Sequence, residues 1–307
     1  MEKEVQGFHL TASLATKLRP LAIAVIRALP KVRGRGRLAN AVNSALIRAG
    51  AAPKTVGRMI PGHSLILDTR KHAHCWALYL GNYCDEMIGA LLQFLRPGGV
   101  ALDVGANVGL VTVPLALGAK QRGSRVIAVE PFYRNAEMIR ENLRLNQVDD
   151  LVTIIEMGLS STPCEAELLL REEFELGSET GNASVAENGI DERFERVAIR
   201  LETLDRLWPT LGNPRLDIIK VDIEGHEDRF LEGASNTLSS FRPVILMEVK
   251  RWFYQRRGVD FDRLIPSLLP SGYHIFSTDL AEIKDLASCK ESDVLFVPEE
   301  RVGQSVV

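Results

Sequence analysis

Ten residues, Val100–Gly109 (VALDVGANVG), constrain the fold most: an apolar run that reads as a buried strand, carrying Asp103 near its end and followed by a glycine turn. A second apolar run, Arg125–Pro131 (RVIAVEP), ends in Glu130. A strand, a glycine turn, a helix and a second strand tipped with an acid make half of a nucleotide-binding α/β unit. An acid about 20 residues past the last glycine is placed to accept hydrogen bonds from ribose hydroxyls. The turn departs from a dinucleotide fingerprint, whose G-x-G-x-x-G opens the backbone to a pyrophosphate. Counting from Gly105, the second glycine position holds Asn107 and the third holds Leu110. A carboxylate and an amide replace the bare anion nest. Such a strand end suits a ligand with an ammonium group and no phosphates, and S-adenosylmethionine fits that description.

Strand and helix patterns alternate beyond this point. The predicted strands are Val100–Gly105, Arg125–Pro131, Leu151–Met157, Leu216–Ile223, Pro243–Val249, His274–Ser277 and Asp293–Pro298. The clearest helices between them are Val108–Leu117, Arg134–Leu145 and Glu227–Leu238. Alternation of this kind implies an α/β fold with a mainly parallel sheet and helices on both faces. No helix pattern joins the last two strands, so an antiparallel hairpin at one edge is expected. Residues 164–195 interrupt the alternation with ten Asp/Glu against two Arg. They read either as a solvated acidic excursion or as a flap over the site.

The net charge of −3 hides an asymmetry: residues 1–60 carry 11 Lys/Arg against 2 Glu, and the remainder carries 26 against 38. Apolar residues at three- and four-residue spacing over Leu10–Ala28 and Leu38–Arg48 predict helices, broken at Pro30 and the Gly34–Arg37 run. The chain therefore divides into a basic helical extension or cap, residues 1–75, and an acidic body, residues 76–307. The extension reads as a packed cap with a solvated basic face, or as a docking surface for an acidic partner, anionic lipid or nucleic acid. Residues 10–60 carry no aromatic for base stacking, which weighs against nucleic acid. No apolar run reaches the ~20 residues that span a bilayer, and no signal core precedes a cleavage site, so a cytoplasmic protein is expected. The four cysteines form no CxxC pair, and His72, His74, Cys75 and Cys84 lack the ligand spacing of a structural zinc module.

Ligands of open α/β sheets sit outside the carboxyl ends of the strands. Four predicted strand ends carry acids here: Asp103, Glu130, Asp222 with Glu224, and Glu248. Alternation puts Asp222 and Glu224 on one side of their strand end before Gly225 frees the backbone to turn, and His226 opens a helix. Glu227 could simply complement that helix dipole. Asp222, Glu224 and Glu248 could converge as oxygen ligands for magnesium, but the pattern does not demand a metal and none is assigned.

Together the segments DVGANVG, AVEP, IKVDIEGHE and LMEV resemble the FkbM family of S-adenosylmethionine-dependent methyltransferases, over roughly residues 80–300. The resemblance implies a seven-stranded Rossmann-like class I methyltransferase sheet of order 3-2-1-4-5-7-6 with strand 7 antiparallel. It implies methyl transfer, most often to oxygen. Asp103, Gly105, Asn107 and Gly109 would line the methionine end of the cofactor, and Glu130 the ribose hydroxyls. Asp222 and Glu224 would border cofactor and acceptor. Ala106 and Met157 complete the candidate cofactor-binding set, to which Asp222 also belongs.

The expected activity is O-methylation of a small metabolite, sugar or natural-product intermediate. The candidate catalytic residues are Asp222, His226 and Glu224. His226 is the histidine of the motif cluster, with an ordinary pKa of ~6.5, and suits a general base; Asp222 competes for that role. A carboxylate acceptor would need no base. Methylation of a carboxylate or nitrogen, on a peptide or an acid, is the enzymatic alternative. An RNA- or membrane-recruited binding module is the alternative of another class, and peripheral membrane contact through residues 1–60 and homo-oligomers remain open.

Overall fold

The computed structural model describes residues 2–30, 32, 34–170, 183–185 and 195–304, the side chains of 2–13 and 183–185 excepted. The chain divides into two compact units, one built on Met1–Tyr83 and the other on Cys84–Glu172 and Asn182–Val307.

The first unit runs α1 (Glu2–Ala28), α2 (Arg35–Arg48), β1 (Lys54–Arg58), β2 (Ser64–Asp68) and α3 (His72–Leu80). The expectation of an all-helical extension is corrected: β1 and β2 pair antiparallel, from Lys54 opposite Asp68 to Arg58 opposite Ser64. Each strand has five residues, and Gly57 removes one side chain from the alternation. That glycine has a packing reason, because a Cβ there would lie 2.6 Å from Leu78 of α3. The expected solvated basic face is also corrected in part. Arg19 is buried and donates to the Ala52 carbonyl at 2.5 Å, while Arg27 donates to the carbonyls of Arg58 and Leu78. Arg19 thus clips α1 to the segment before β1, and Arg27 clips it to the hairpin and α3, each by donating to backbone carbonyls. His74, also buried, accepts the Asp68 N–H through Nδ1 at 3.1 Å.

The second unit runs α4 (Asp85–Leu92), β3 (Val100–Val104), α5 (Thr112–Lys120), β4 (Arg125–Val129), α6 (Tyr133–Leu145), β5 (Val152–Ile155), β6 (Gly158–Leu159), β7 (Cys164–Leu170), β8 (Ala183–Val185), β9 (Glu195–Glu202), α7 (Leu204–Thr210), β10 (Leu216–Val221), α8 (Glu227–Glu232), α9 (Ser235–Phe241), β11 (Val244–Glu248), α10 (Arg251–Arg256), α11 (Phe261–Leu268), β12 (Tyr273–Phe276), β13 (Glu282–Ile283) and β14 (Asp293–Pro298). Its main sheet has the order β5-β4-β3-β10-β11-β14-β12-β13. Pairing is parallel from β5 through β11, and β14 runs antiparallel to both β11 and β12. Numbering the seven long strands in chain order gives 3-2-1-4-5-7-6, with β13 as a short edge addition.

The central strands are apolar throughout because helices cover both faces. Leu102, Val104, Ile219, Val221, Ile245 and Met247 belong to one continuous core with Trp208, Phe230 and Phe296. Strand order reverses between β3 and β10, the switch point at which ligands of such sheets bind. At the opposite strand ends the fully buried Asp217 is held by Arg96 and Arg215.

Two further expectations change. Residues 164–195 are bounded by strands: β7 and β9 pair antiparallel from Cys164 opposite Leu201 to Leu170 opposite Glu195, within a sheet of order β6-β9-β7-β8. Exposed charges of β7 and β9 pair diagonally across the strands, as Arg196 does with Glu167 at 2.7 Å, and Leu168, Leu169 and Leu170 are all buried. Residues 171–182 and 186–194 of this insertion lie outside the described residues. The helix expected over Glu227–Leu238 is two helices broken at Gly233, where a Cβ would lie 2.0 Å from the Ser160 carbonyl.

Candidate functional site

At the end of β3, Asp103 is fully buried and accepts the Thr112 hydroxyl at 2.7 Å. Register places Lys220 of β10 directly beside it. The Lys220 ammonium lies 3.5 Å from Asp103 and 3.7 Å from Asp222, and donates to the Gly105 carbonyl at 3.0 Å. Burial works against this charge, but the carboxylates of Asp103, Asp222 and Glu248 outweigh it and hold the ammonium pKa above its usual value. The ammonium group expected from a ligand at Asp103 is thus supplied to that carboxylate by the chain itself.

The turn after β3 is shaped by close approach. Gly105 has φ 76°, and a Cβ there would lie 2.0 Å from the Asp222 carbonyl, so glycine is required for the ends of β3 and β10 to meet. Ala106 is buried, and Asn107 adopts φ 51°. The Asn107 N–H points to Glu130 Oε2 at 2.8 Å. Glu130, at the end of β4, also accepts the Phe132 N–H at 3.0 Å and the Asn135 amide at 3.2 Å. Burial pushes the Glu130 carboxyl up to about 7, against the pull of those donors. Gly109 has φ 86°, and Met157 stands half-buried past β5.

The end of β10 is a tight loop. Glu224 and Gly225 are both left-handed, at φ 54° and 92°, and a Cβ on Gly225 would meet Phe253 at 2.6 Å. Glu227 turns back to accept the N–H groups of Ile223 and Gly225, each at 3.2 Å, and the Tyr254 hydroxyl donates to its other oxygen at 2.7 Å. Glu227 therefore fixes the backbone that presents Asp222 and Glu224.

Asp222, Glu224 and Glu248 come together, each offering an oxygen within 4.8 Å of the others. Lys250 binds two of them, its ammonium 2.8 Å from Glu224 and 2.8 Å from Glu248. Burial and the neighbouring Asp222 raise the Glu248 carboxyl to about 9, so Glu248 keeps its proton at neutral pH. Asp222 is the ionised member: burial raises its pKa, but Lys220, a hydrogen bond with Glu248 and Lys250 together lower it. His226 lies outside this group. Its Nε2 pairs with the Ser160 hydroxyl at 2.9 Å, and burial first of all lowers its pKa to about 4, leaving a neutral ring. The charges it feels are Asp228, Arg257 and Arg229.

This geometry coincides with a family match: the model of the methyltransferase FkbM domain covers residues 103–275, from the first strand-end acid to β12. The chain belongs to the FkbM methyltransferase family. It is similar to the AMB antimetabolite synthetase AmbE of Pseudomonas aeruginosa (27% identical, 55% of this chain and 9% of that one). It is also similar to the methyltransferase sdnD of Sordaria araneosa (29%, 43% and 59%) and to the hexuronic acid methyltransferase AglP of Haloferax volcanii (24%, 65% and 77%). The match thus spans less than two thirds of the length of the first two. Among solved structures, an FkbM methyltransferase from Methylobacillus flagellatus matches with a TM-score of 0.41 at 17% identity, over 76% of this chain and 56% of that one.

For an FkbM methyltransferase the cofactor is S-adenosylmethionine, and the donor set at β3 and β4 fits it. Asn107 Oδ1 and Asn135 Oδ1 are buried acceptors with no hydrogen-bond partner, on either side of Glu130. Such a cluster suits a ligand that brings hydroxyl and ammonium donors. Sequence reasoning quoted Lys220 within IKVDIEGHE without giving it a role, and missed Lys250, Thr112 and Ser160. The signal for Lys220 was an ionisable residue inside an apolar FkbM strand, which a buried sheet tolerates only beside a counter-charge.

Proposed function

We propose that this chain methylates a hydroxyl oxygen of a small metabolite, sugar or natural-product intermediate, with S-adenosylmethionine as donor. Gly105, Ala106, Asn107 and Gly109 would hold the methionine end, with Asp103 acting behind them through Lys220 and Thr112; Glu130 would hold the ribose, and Met157 and Asp222 the remaining contacts. The bound donor supplies a methyl group already activated by its sulfonium. The chain contributes alignment, which can be worth ~7–11 kcal/mol of barrier, and a place for the proton that the hydroxyl must lose.

The observation that carries the reading is Asp222: ionised, gathered with Glu224 and Glu248, 3.7 Å from the Lys220 ammonium, and with a side chain 37% exposed at the sheet's switch point. An oxygen becomes strongly acidic as its new bond to carbon forms, so an ionised carboxylate in the right place accepts its proton. Glu248, raised by burial and by Asp222, keeps the proton of the pair and leaves Asp222 the charged member. His226 is engaged by Ser160 and stands outside the carboxylate group, which supports Asp222 rather than His226 as proton acceptor.

A screen of candidate acceptors with labelled donor, read by product mass, tests the reading. The wild type should yield a methyl ether stable to alkali, and Asp222→Asn should lower turnover by ~10²-fold or more, while His226→Asn keeps most of it. AglP acts on a hexuronic acid, a class of molecule that offers hydroxyl and carboxyl groups alike. A label released by mild alkali would identify an ester and move the reading to carboxyl methylation.

A further inference from the structure

From Leu14 onward α1 is apolar on two faces. One face packs inside the first unit through Ala15, Ile26 and the buried Arg19. An adjacent face, about 100° round the helix, exposes Leu14, Leu18, Leu21 and Val25, at 59%, 44%, 62% and 55%, a stripe at four- and three-residue spacing along one side of the helix. Leu29 continues it, and Arg27 ties this end of the helix to the β1–β2 turn, where Ile60 is exposed as well. Large apolar side chains gathered on one helix face mark an interaction surface.

The charge around that stripe has one sign. From residue 5 to residue 84 the sequence contains a single acid, Asp68, which is buried and held by Arg70. Among the described side chains of the unit, the exposed charges, Lys17, Arg37, Arg48, Lys54 and Arg58 among them, are all cationic. A second copy docked on this face would set cation against cation, with no exposed carboxylate among the described side chains of the unit to match them. Nucleic acid would satisfy the cations and leave the leucine stripe in water. A bilayer with anionic headgroups satisfies both, with the stripe at the acyl boundary and the lysines and arginines at the phosphates.

We infer that α1 and the cationic surface of the first unit form a peripheral docking site for an anionic lipid bilayer. No helix among the described residues is long and apolar enough to cross one, so the contact lies in the interface. The inference does not depend on the methyl acceptor or on the transfer reaction.

Co-sedimentation of the full chain with vesicles tests it. The chain should pellet with phosphatidylcholine–phosphatidylglycerol vesicles and stay in the supernatant with phosphatidylcholine alone. Leu18→Gln with Leu21→Gln, both exposed positions, should weaken binding at least ~10-fold while the thermal melt is unchanged. Lys17→Gln should weaken it about fivefold. Failure to pellet with the anionic vesicles, or wild-type binding by the leucine variant, would overturn the inference. So would a concentration-dependent dimer that the leucine variant dissolves, or retention on RNA in place of vesicles.

Discussion

Lys220 carries the largest electrostatic load in the molecule's candidate site. It sits between Asp103 and Asp222 in an otherwise apolar strand, and Asp103 has no access to water. Replacing it by methionine keeps the volume and strands a buried carboxylate. Lys220→Met should therefore cost about 3–5 kcal/mol in urea unfolding, and adding Asp103→Asn should recover part of the loss. Glu248 gives a second residue-scale test. Its carboxyl is raised by burial and by Asp222 to about 9, against 4.5 when free, so between those values the folded chain holds a proton that the unfolded chain has released. The stability it contributes is complete below pH 4.5 and is lost as pH rises toward 9. Unfolding midpoints across that window should fall less steeply for Glu248→Gln than for the wild type. The acids of this site were legible in the sequence because each ends an apolar run. Their partners were not, since Asp103 meets Lys220 only through the register of β3 against β10, and His226 meets Ser160 only through the fold.

Among the elements, the loop from Asp222 to Glu227 is the most constrained. Two successive left-handed residues, the return of Glu227 onto Ile223 and Gly225, and the Phe253 ring against Gly225 leave it one conformation. Gly225→Ala should destabilise the protein by about 1–3 kcal/mol and lower turnover with it, as read by thermal unfolding and single-turnover transfer. The strands of the main sheet could be read in advance because burial on both faces writes them as continuous apolar runs. The β1–β2 hairpin could not, with five residues a side and Gly57 where a strand former would stand. Nor could the break between α8 and α9, whose cause is the Ser160 carbonyl, far away in sequence. The acidic insertion hid its strands for a related reason: charge occupies exposed positions of β7 and β9, and the buried leucines of β7 are three in a row at one end, which breaks the alternation.

At the scale of the whole chain, a unit whose described exposed charges are cationic and an acidic α/β unit are joined in one polypeptide, and the candidate site lies in the second. Its strand ends hold two kinds of carboxylate: Glu130 beside unpartnered amide oxygens, and the ammonium-bound group around Asp222. The central claim is that the first kind receives S-adenosylmethionine and not a dinucleotide. Titration calorimetry with S-adenosylmethionine and with NAD tests it most directly. The structure leads us to expect one saturable site for S-adenosylmethionine, markedly weakened by Glu130→Ala, and no heat with NAD. Saturable NAD binding with no response to S-adenosylmethionine would contradict it.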